Sequence, residues 1–232
     1  DATGEFKWDN RKRTITAIDQ KTGAIRWKKE HPVITLTMAI DNKGLYFHDG
    51  KKVVGLNRQT GEQAWTSEAL ELKKYKLGTA TAPSLLVYDG VVVCSQGFDF
   101  KDGVLLGVSA KTGKTLWKEA SQSSGHSTPD DIHVVDGLIW GAGIARIGSQ
   151  GGVYKGRDPS TGKIQREFPL DVKHASWFHQ RCYRSRATRK FIIPAATGIE
   201  YVDVRSKHWV TNHWVRGACI FGVLPANGMT YA

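Results

Sequence analysis

The apolar residues of this chain fall in short runs bounded by turn residues, as in Ser84 to Tyr88, Val91 to Ser95, Leu105 to Ser109 and Thr115 to Lys118. Runs of this length, rich in Val, Ile, Leu and aromatics, predict β-strands. No segment sustains an i, i+3, i+4 apolar pattern, and Glu68 to Tyr75 has room for at most a turn or two of helix. Between the runs stand Asn42-Lys43-Gly44, Asp89-Gly90, Asp136-Gly137 and Asn227-Gly228. Such residues mark tight hairpins, because they tolerate the positive φ that the turn demands.

These turns repeat. Gly44, Gly90, Gly137 and Gly228 are spaced by 46, 47 and 91 residues, which gives a period of about 46 and predicts one degenerate turn between Ala187 and Lys190. A second marker runs in parallel: Asp19-Gln20-Lys21-Thr22-Gly23-Ala24-Ile25-Arg26-Trp27 recurs as Asn57-Arg58-Gln59-Thr60-Gly61-Glu62-Gln63-Ala64-Trp65 and as Ser109-Ala110-Lys111-Thr112-Gly113-Lys114-Thr115-Leu116-Trp117. A fourth copy keeps Asp158, Thr161 and Gly162 but has Arg166 at the Trp place, and a decayed fifth has Asp203, Ser206 and Lys207 before Trp209. Two hairpin turns per period make four antiparallel strands per unit, which is the build of a propeller blade.

The pattern Asp-x-x-Thr-Gly-x-x-x-Trp resembles the tryptophan-docking repeat of the pyrroloquinoline-quinone-type (PQQ-like) β-propellers. That family includes quinoprotein alcohol dehydrogenases and the propeller lipoprotein of outer-membrane protein assembly. The resemblance covers nearly all of the chain. It implies one all-β domain over residues 1–232, a β-propeller of four-stranded antiparallel blades in which Trp27, Trp65 and Trp117 pack structurally between neighbours. About five blades are visible, whereas the resembling propellers have seven or eight. The chain is therefore expected to be an incomplete part of such a ring, completed by further blades from the same or another chain, or else an unusually small ring. Open strand edges at both ends would otherwise invite pairing.

Composition narrows the function classes. Lys and Arg number 33 against 22 Asp and Glu, a net charge of +11 that favours anionic partners. The basic residues are scattered except over Arg181 to Lys190, without the interleaved aromatics of nucleic-acid modules, so nucleic acid is not expected as a partner. No apolar run approaches the ~20 residues of a membrane-spanning helix. The sequence starts Asp1-Ala2-Thr3-Gly4, so any export signal is expected to have been removed or to lie outside it, and Trp-rich repeats of this type resemble periplasmic or extracellular proteins. The three cysteines form no zinc-spaced set, and no metal is expected. Cys182 and Cys219 are placed on innermost strands of successive units, which allows a disulfide; two buried free thiols fit equally well. The quinoprotein dehydrogenase that the family resemblance implies lacks here its vicinal cysteine pair and calcium-binding set, so no cofactor is expected.

Propeller geometry identifies the residues that converge. The connection leading into each innermost strand opens on the face of the central funnel. In this chain those connections hold His126 with Asp130 and Asp131, then His174, His179, Arg181, Tyr183 and Arg184, then His213 and Arg216. Arg gives bidentate contacts to anions, and His or Tyr moves protons. His174, His179, Arg181 and Tyr183 form the candidate catalytic set; His126, Arg184, His213 and Arg216 form the candidate substrate-binding set. His126 with a neighbouring Asp is either an oriented histidine, a pair of metal ligands, or a turn with an exposed side chain. His48 and His133 read as surface or packing residues. Three functions compete: an envelope or secreted module that binds a protein partner or ligand, a polysaccharide lyase acting on an acidic, uronate-containing glycan, and, through the family resemblance alone, a quinoprotein dehydrogenase. Whether the chain is an enzyme stays open, since no complete catalytic motif is present.

Overall fold

The computed structural model describes residues 6–7, 12–34, 37–70, 76–77, 84–96, 102–122, 131–141, 153–169, 183–194, 198–210, 212, 214–218 and 221–232. A short strand, β1 (Phe6–Lys7), precedes a two-stranded sheet of β2 (Arg13–Ile18) and β3 (Ile25–His31). The first full blade comprises β4 (Met38–Ile40), β5 (Gly44–His48), β6 (Lys52–Asn57) and β7 (Gln63–Ala69). After β8 (Lys76–Leu77), which pairs with β1, comes the second, of β9 (Ser84–Tyr88), β10 (Val91–Gln96), β11 (Asp102–Ser109) and β12 (Thr115–Gln122). The third contains β13 (His133–Val135), β14 (Leu138–Trp140), β15 (Val153–Arg157) and β16 (Ile164–Pro169), and the fourth β17 (Arg186–Ala187), β18 (Phe191–Ile193), β19 (Tyr201–Asp203) and β20 (His208–Val210). A last pair, β21 (Leu224–Ala226) and β22 (Met229–Tyr231), ends the described chain.

Every four-stranded sheet is an antiparallel meander in chain order. First strands of successive units lie side by side, β4 with β9, β13 with β17 and β17 with β21, so the sheets are stacked face to face around an inner line of strands. Side chains alternate across each sheet. Val92 and Cys94 join Tyr46, Val53 and Leu85 in a core against the first blade, whereas Val91 and Val93 join Trp117, Ile132 and Ile139 against the third. Both faces being buried explains why β10 opens on the unbroken apolar run from Val91 to Cys94.

The Thr-Gly-Trp repeat has one structural meaning at three interfaces. Trp27 Nε1 donates to Arg58 O at 3.0 Å, Trp65 Nε1 to Ala110 O at 2.9 Å and Trp117 Nε1 to Pro159 O at 2.7 Å. Each acceptor is the residue after the first Asx or Ser of the next unit's turn. Each indole lies against the glycine of that turn: a Cβ at Gly61, Gly113 or Gly162 would fall 2.7, 2.4 or 2.6 Å from the ring. These glycines also need positive φ, at 71°, 72° and 70°. A register shift recurs beside the tryptophan, at Ala17/Ile18, Gly55/Leu56 and Gly107/Val108, and again at Gly156/Arg157 in the unit that has lost it. The expected degenerate hairpin turn is found at Thr188 to Phe191, where Thr188 N donates to Phe191 O at 2.8 Å.

Candidate functional site

The funnel-side residues that are described form one network across three blades. Asp131, just before β13, is buried at 4% exposure. Its Oδ1 accepts from Arg184 Nε at 2.8 Å, and its Oδ2 accepts from Ser185 N at 2.7 Å and Ser185 Oγ at 2.8 Å. Arg184 extends past this carboxylate to donate to Ser84 Oγ at 2.5 Å, so a residue leading into the fourth blade reaches the first strand of the second. His133 Nε2 stands 2.7 Å from Ser185 Oγ. Because Ser185 gives its proton to Asp131, His133 is the donor in that contact, its Nε2 protonated. Burial, then the cations of Arg184 and Arg186, hold the imidazole below its ordinary pKa against the opposing pull of Asp131, and it stays neutral.

This arrangement locks blades together and leaves the serine unactivated. A nucleophilic serine would need His133 as an acceptor, and Asp131 already takes that proton. Tyr183 has a similar place: it is buried, its hydroxyl donates to Gly198 O at 3.2 Å, and its ring lies where a Cβ on Gly222 would come within 2.9 Å. Of the sequence-derived candidates, Arg184 and Tyr183 are thus brought into inter-element contacts, and Arg216 is exposed. His126, His174, His179, Arg181 and His213 lie outside the described residues, as do Cys182 and Cys219; the innermost strands there run over Arg186–Ala187 and Leu224–Ala226. His133 and His48 are packing residues. His48 is fully buried, with Nε2 donating to Leu70 O at 3.0 Å and Nδ1 accepting from Gly50 N at 3.0 Å. Burial pushes it down to about 4. No group of His, Cys, Asp and Glu able to hold a metal occurs among the described residues.

Sequence reasoning missed Ser84 and Ser185, whose roles depend on pairing across 100 residues for the first and 52 or 54 for the second and leave no local signal. It also passed over the exposed aromatics of the connection from β20 to β21. Trp214 is 96% and Phe221 80% exposed, with Val215 and Arg216 beside them also exposed.

Comparison with known proteins fixes the family. The model of the PQQ_2 family, described as outer membrane protein assembly factor BamB, matches residues 11–180. The chain belongs to this family. Its PQQ_2 fold superposes on BamB from Moraxella catarrhalis with a TM-score of 0.56 at 13% identity, over 88% of this chain and 58% of that one. Quinohemoprotein alcohol dehydrogenase from Comamonas testosteroni gives 0.54 at 16% identity, over 88% and 40%. The WD40 domain of SCAP from fission yeast gives 0.53 at 10% identity, over 86% and 47%. The chain therefore spans 58%, 40% and 47% of these three proteins, and such identities establish the propeller fold alone. No curated protein matches the sequence.

Proposed function

We propose that this chain is a partner-binding scaffold of the bacterial cell envelope, in the periplasm or outside the cell, that holds a protein through its funnel-side loops. The observation that carries the reading is the exposed set Trp214, Val215, Arg216 and Phe221. Large aromatics and Arg dominate the energetic centres of protein interfaces, and a patch of them left in water favours association. The family description, an assembly factor for outer membrane proteins, agrees with a protein partner. A photo-crosslinking residue at position 214, in envelopes of the native host, is expected to give an adduct with one defined protein, and the same residue at position 111, on a turn at the other end of the sheets, is expected to give none. No adduct at 214, or the same adducts from 111, would overturn the reading.

A second reading rests on the charge of +11 and on the run His174 to Arg184: an acidic glycan bound, or cleaved by a lyase reaction, at the funnel mouth. Arg181→Ala is then expected to weaken polyuronate binding by ~1.5–3 kcal/mol, as for a charge-assisted bond. Equal weakening by Lys111→Ala would reduce it to general charge.

A further inference from the structure

The interface between the third and fourth blades departs from the repeat in one chemical direction. Between the first and second blades, the turn-side groove of about 560 Å³ is lined by Trp65, by Asp89-Gly90 of the next hairpin turn, by Lys111 and by Asp41. The equivalent positions two interfaces later hold Arg166 for the tryptophan, Arg189-Lys190 for Asp-Gly, Arg205 for Lys111 and Asp136 for Asp41, while Lys207 replaces the turn glycine. Structural residues have become cations at four of these places.

The fold does not need those cations for packing. Trp140, fully buried, covers Gly156 and with Tyr154, Phe168 and Trp209 fills the interface from inside. Lys207 even holds the glycine conformation, φ 59°, which an L side chain adopts at a conformational cost. The arginines are held in place. Arg166 donates through Nη1 to Val204 O at 3.2 Å, the carbonyl an indole would use, and to Asp136 Oδ2 at 2.8 Å. Arg205 donates through Nε to Asp136 Oδ1 at 2.6 Å, and its Nη2 pairs with the same oxygen. Both guanidiniums are thereby oriented by one carboxylate, with further N–H donors left unengaged by the described residues. Arg189, Lys190, Arg205 and Lys207 are exposed. Asp203 directs its Oδ1 to its own turn, accepting from Arg205 N and Ser206 N. Five cations face two carboxylates.

We propose that the turn-side end of this interface is a binding site for a phosphate group, at the end of the sheets opposite the funnel. Two arginines fixed by a shared carboxylate present planar donors that match a phosphate oxygen pair, and the exposed Arg189, Lys190 and Lys207 of the two turns at this end add charge that suits a doubly charged monoester. The group is carried either by a soluble phosphorylated compound or by a lipid headgroup.

Restoring the repeat residues tests the site without breaking the fold. The triple variant Arg189→Asn, Lys190→Gly, Lys207→Gly is expected to keep or raise Tm while losing at least tenfold in affinity, and Lys111→Gln at the first groove is expected to change nothing. The probes are inorganic pyrophosphate by calorimetry, and phosphatidylcholine vesicles with and without phosphatidic acid by co-sedimentation. Binding to pyrophosphate identifies a soluble ligand, and binding only to the phosphatidic acid vesicles identifies a headgroup. Absence of binding to both, or equal binding by the triple variant, overturns the site.

Discussion

Two glycines in one blade separate backbone strain from inter-blade docking. Gly90 and Gly113 have nearly the same φ, 75° and 72°. A methyl group on Gly90 meets no heavy atom within 4 Å, whereas on Gly113 it would lie 2.4 Å from Trp65 Cε3 and 3.1 Å from Thr66 O. Gly90→Ala therefore carries only the left-handed penalty, about 1–2 kcal/mol. Gly113→Ala carries the same penalty and must also displace the indole, losing a hydrogen bond of about 0.5–1.5 kcal/mol. Part of the indole burial goes too, and complete removal of a buried Trp costs about 3–5 kcal/mol. The two variants are expected to differ by about 2–3 kcal/mol, or roughly 5–10 °C in Tm for a chain of this size. Denaturant unfolding of both, and of Gly113→Ala in a Trp65→Ala background, measures the coupling. Once the indole is gone, the cost of Gly113→Ala is expected to fall toward that of Gly90→Ala, leaving only the tight contact with Thr66 O above it. Equal costs for the two single variants, or full additivity with Trp65→Ala, would refute docking as the reason for the glycine.

Further outcomes follow from the same contacts. Arg184→Met leaves Asp131 buried beside a neutral chain and is expected to cost about 3–5 kcal/mol in urea unfolding, with much of the loss recovered when Asp131→Leu is added. His48 is depressed to about 4, so the unfolded chain binds the extra proton below its own value of about 6.5; stability is complete above that pH and falls by about 3 kcal/mol on the way down to the folded value. His48→Gln should flatten that part of the pH–stability curve. The carboxyls of Asp41, Asp136 and Asp203 are held low by hydrogen bonds to turn N–H groups or arginines; their contribution is present above the ordinary carboxylate range and is lost as pH falls through the folded values, which a further decline in acid would show.

The repeat made the fold legible because each blade repeats the same local chemistry: a turn that needs positive φ, a glycine under an indole, and an apolar run buried on both faces. Even the broken copy was informative, since Arg166 at the Trp place uses the carbonyl an indole would use, that of Val204. The dipeptide alone does not give the face of the blade, however. Asp49-Gly50 looks like the other hairpin signals but joins β5 to β6, on the funnel side. The candidate site was less legible. Arg184 stood in the candidate substrate-binding set, and the partners that orient it, Asp131 and Ser84, lie 53 and 100 residues away in sequence and tie it between blades. Trp214 and Phe221 carried no signal, because exposure is a property of the folded chain and aromatics such as Phe47, Trp117, Trp140 and Tyr154 are core.

Indole hydrogen exchange, resolved by NMR for each tryptophan, tests the docked-blade scaffold and its exposed loop together. The account predicts slow exchange of Nε1–H at Trp65, Trp117 and Trp140, which donate to Ala110, Pro159 and Val135 carbonyls. It predicts fast, solvent-like exchange at Trp214, which is 96% exposed. Fast exchange at Trp65 and Trp117, the two docked between blades, or protection of Trp214 in the isolated chain, would contradict it.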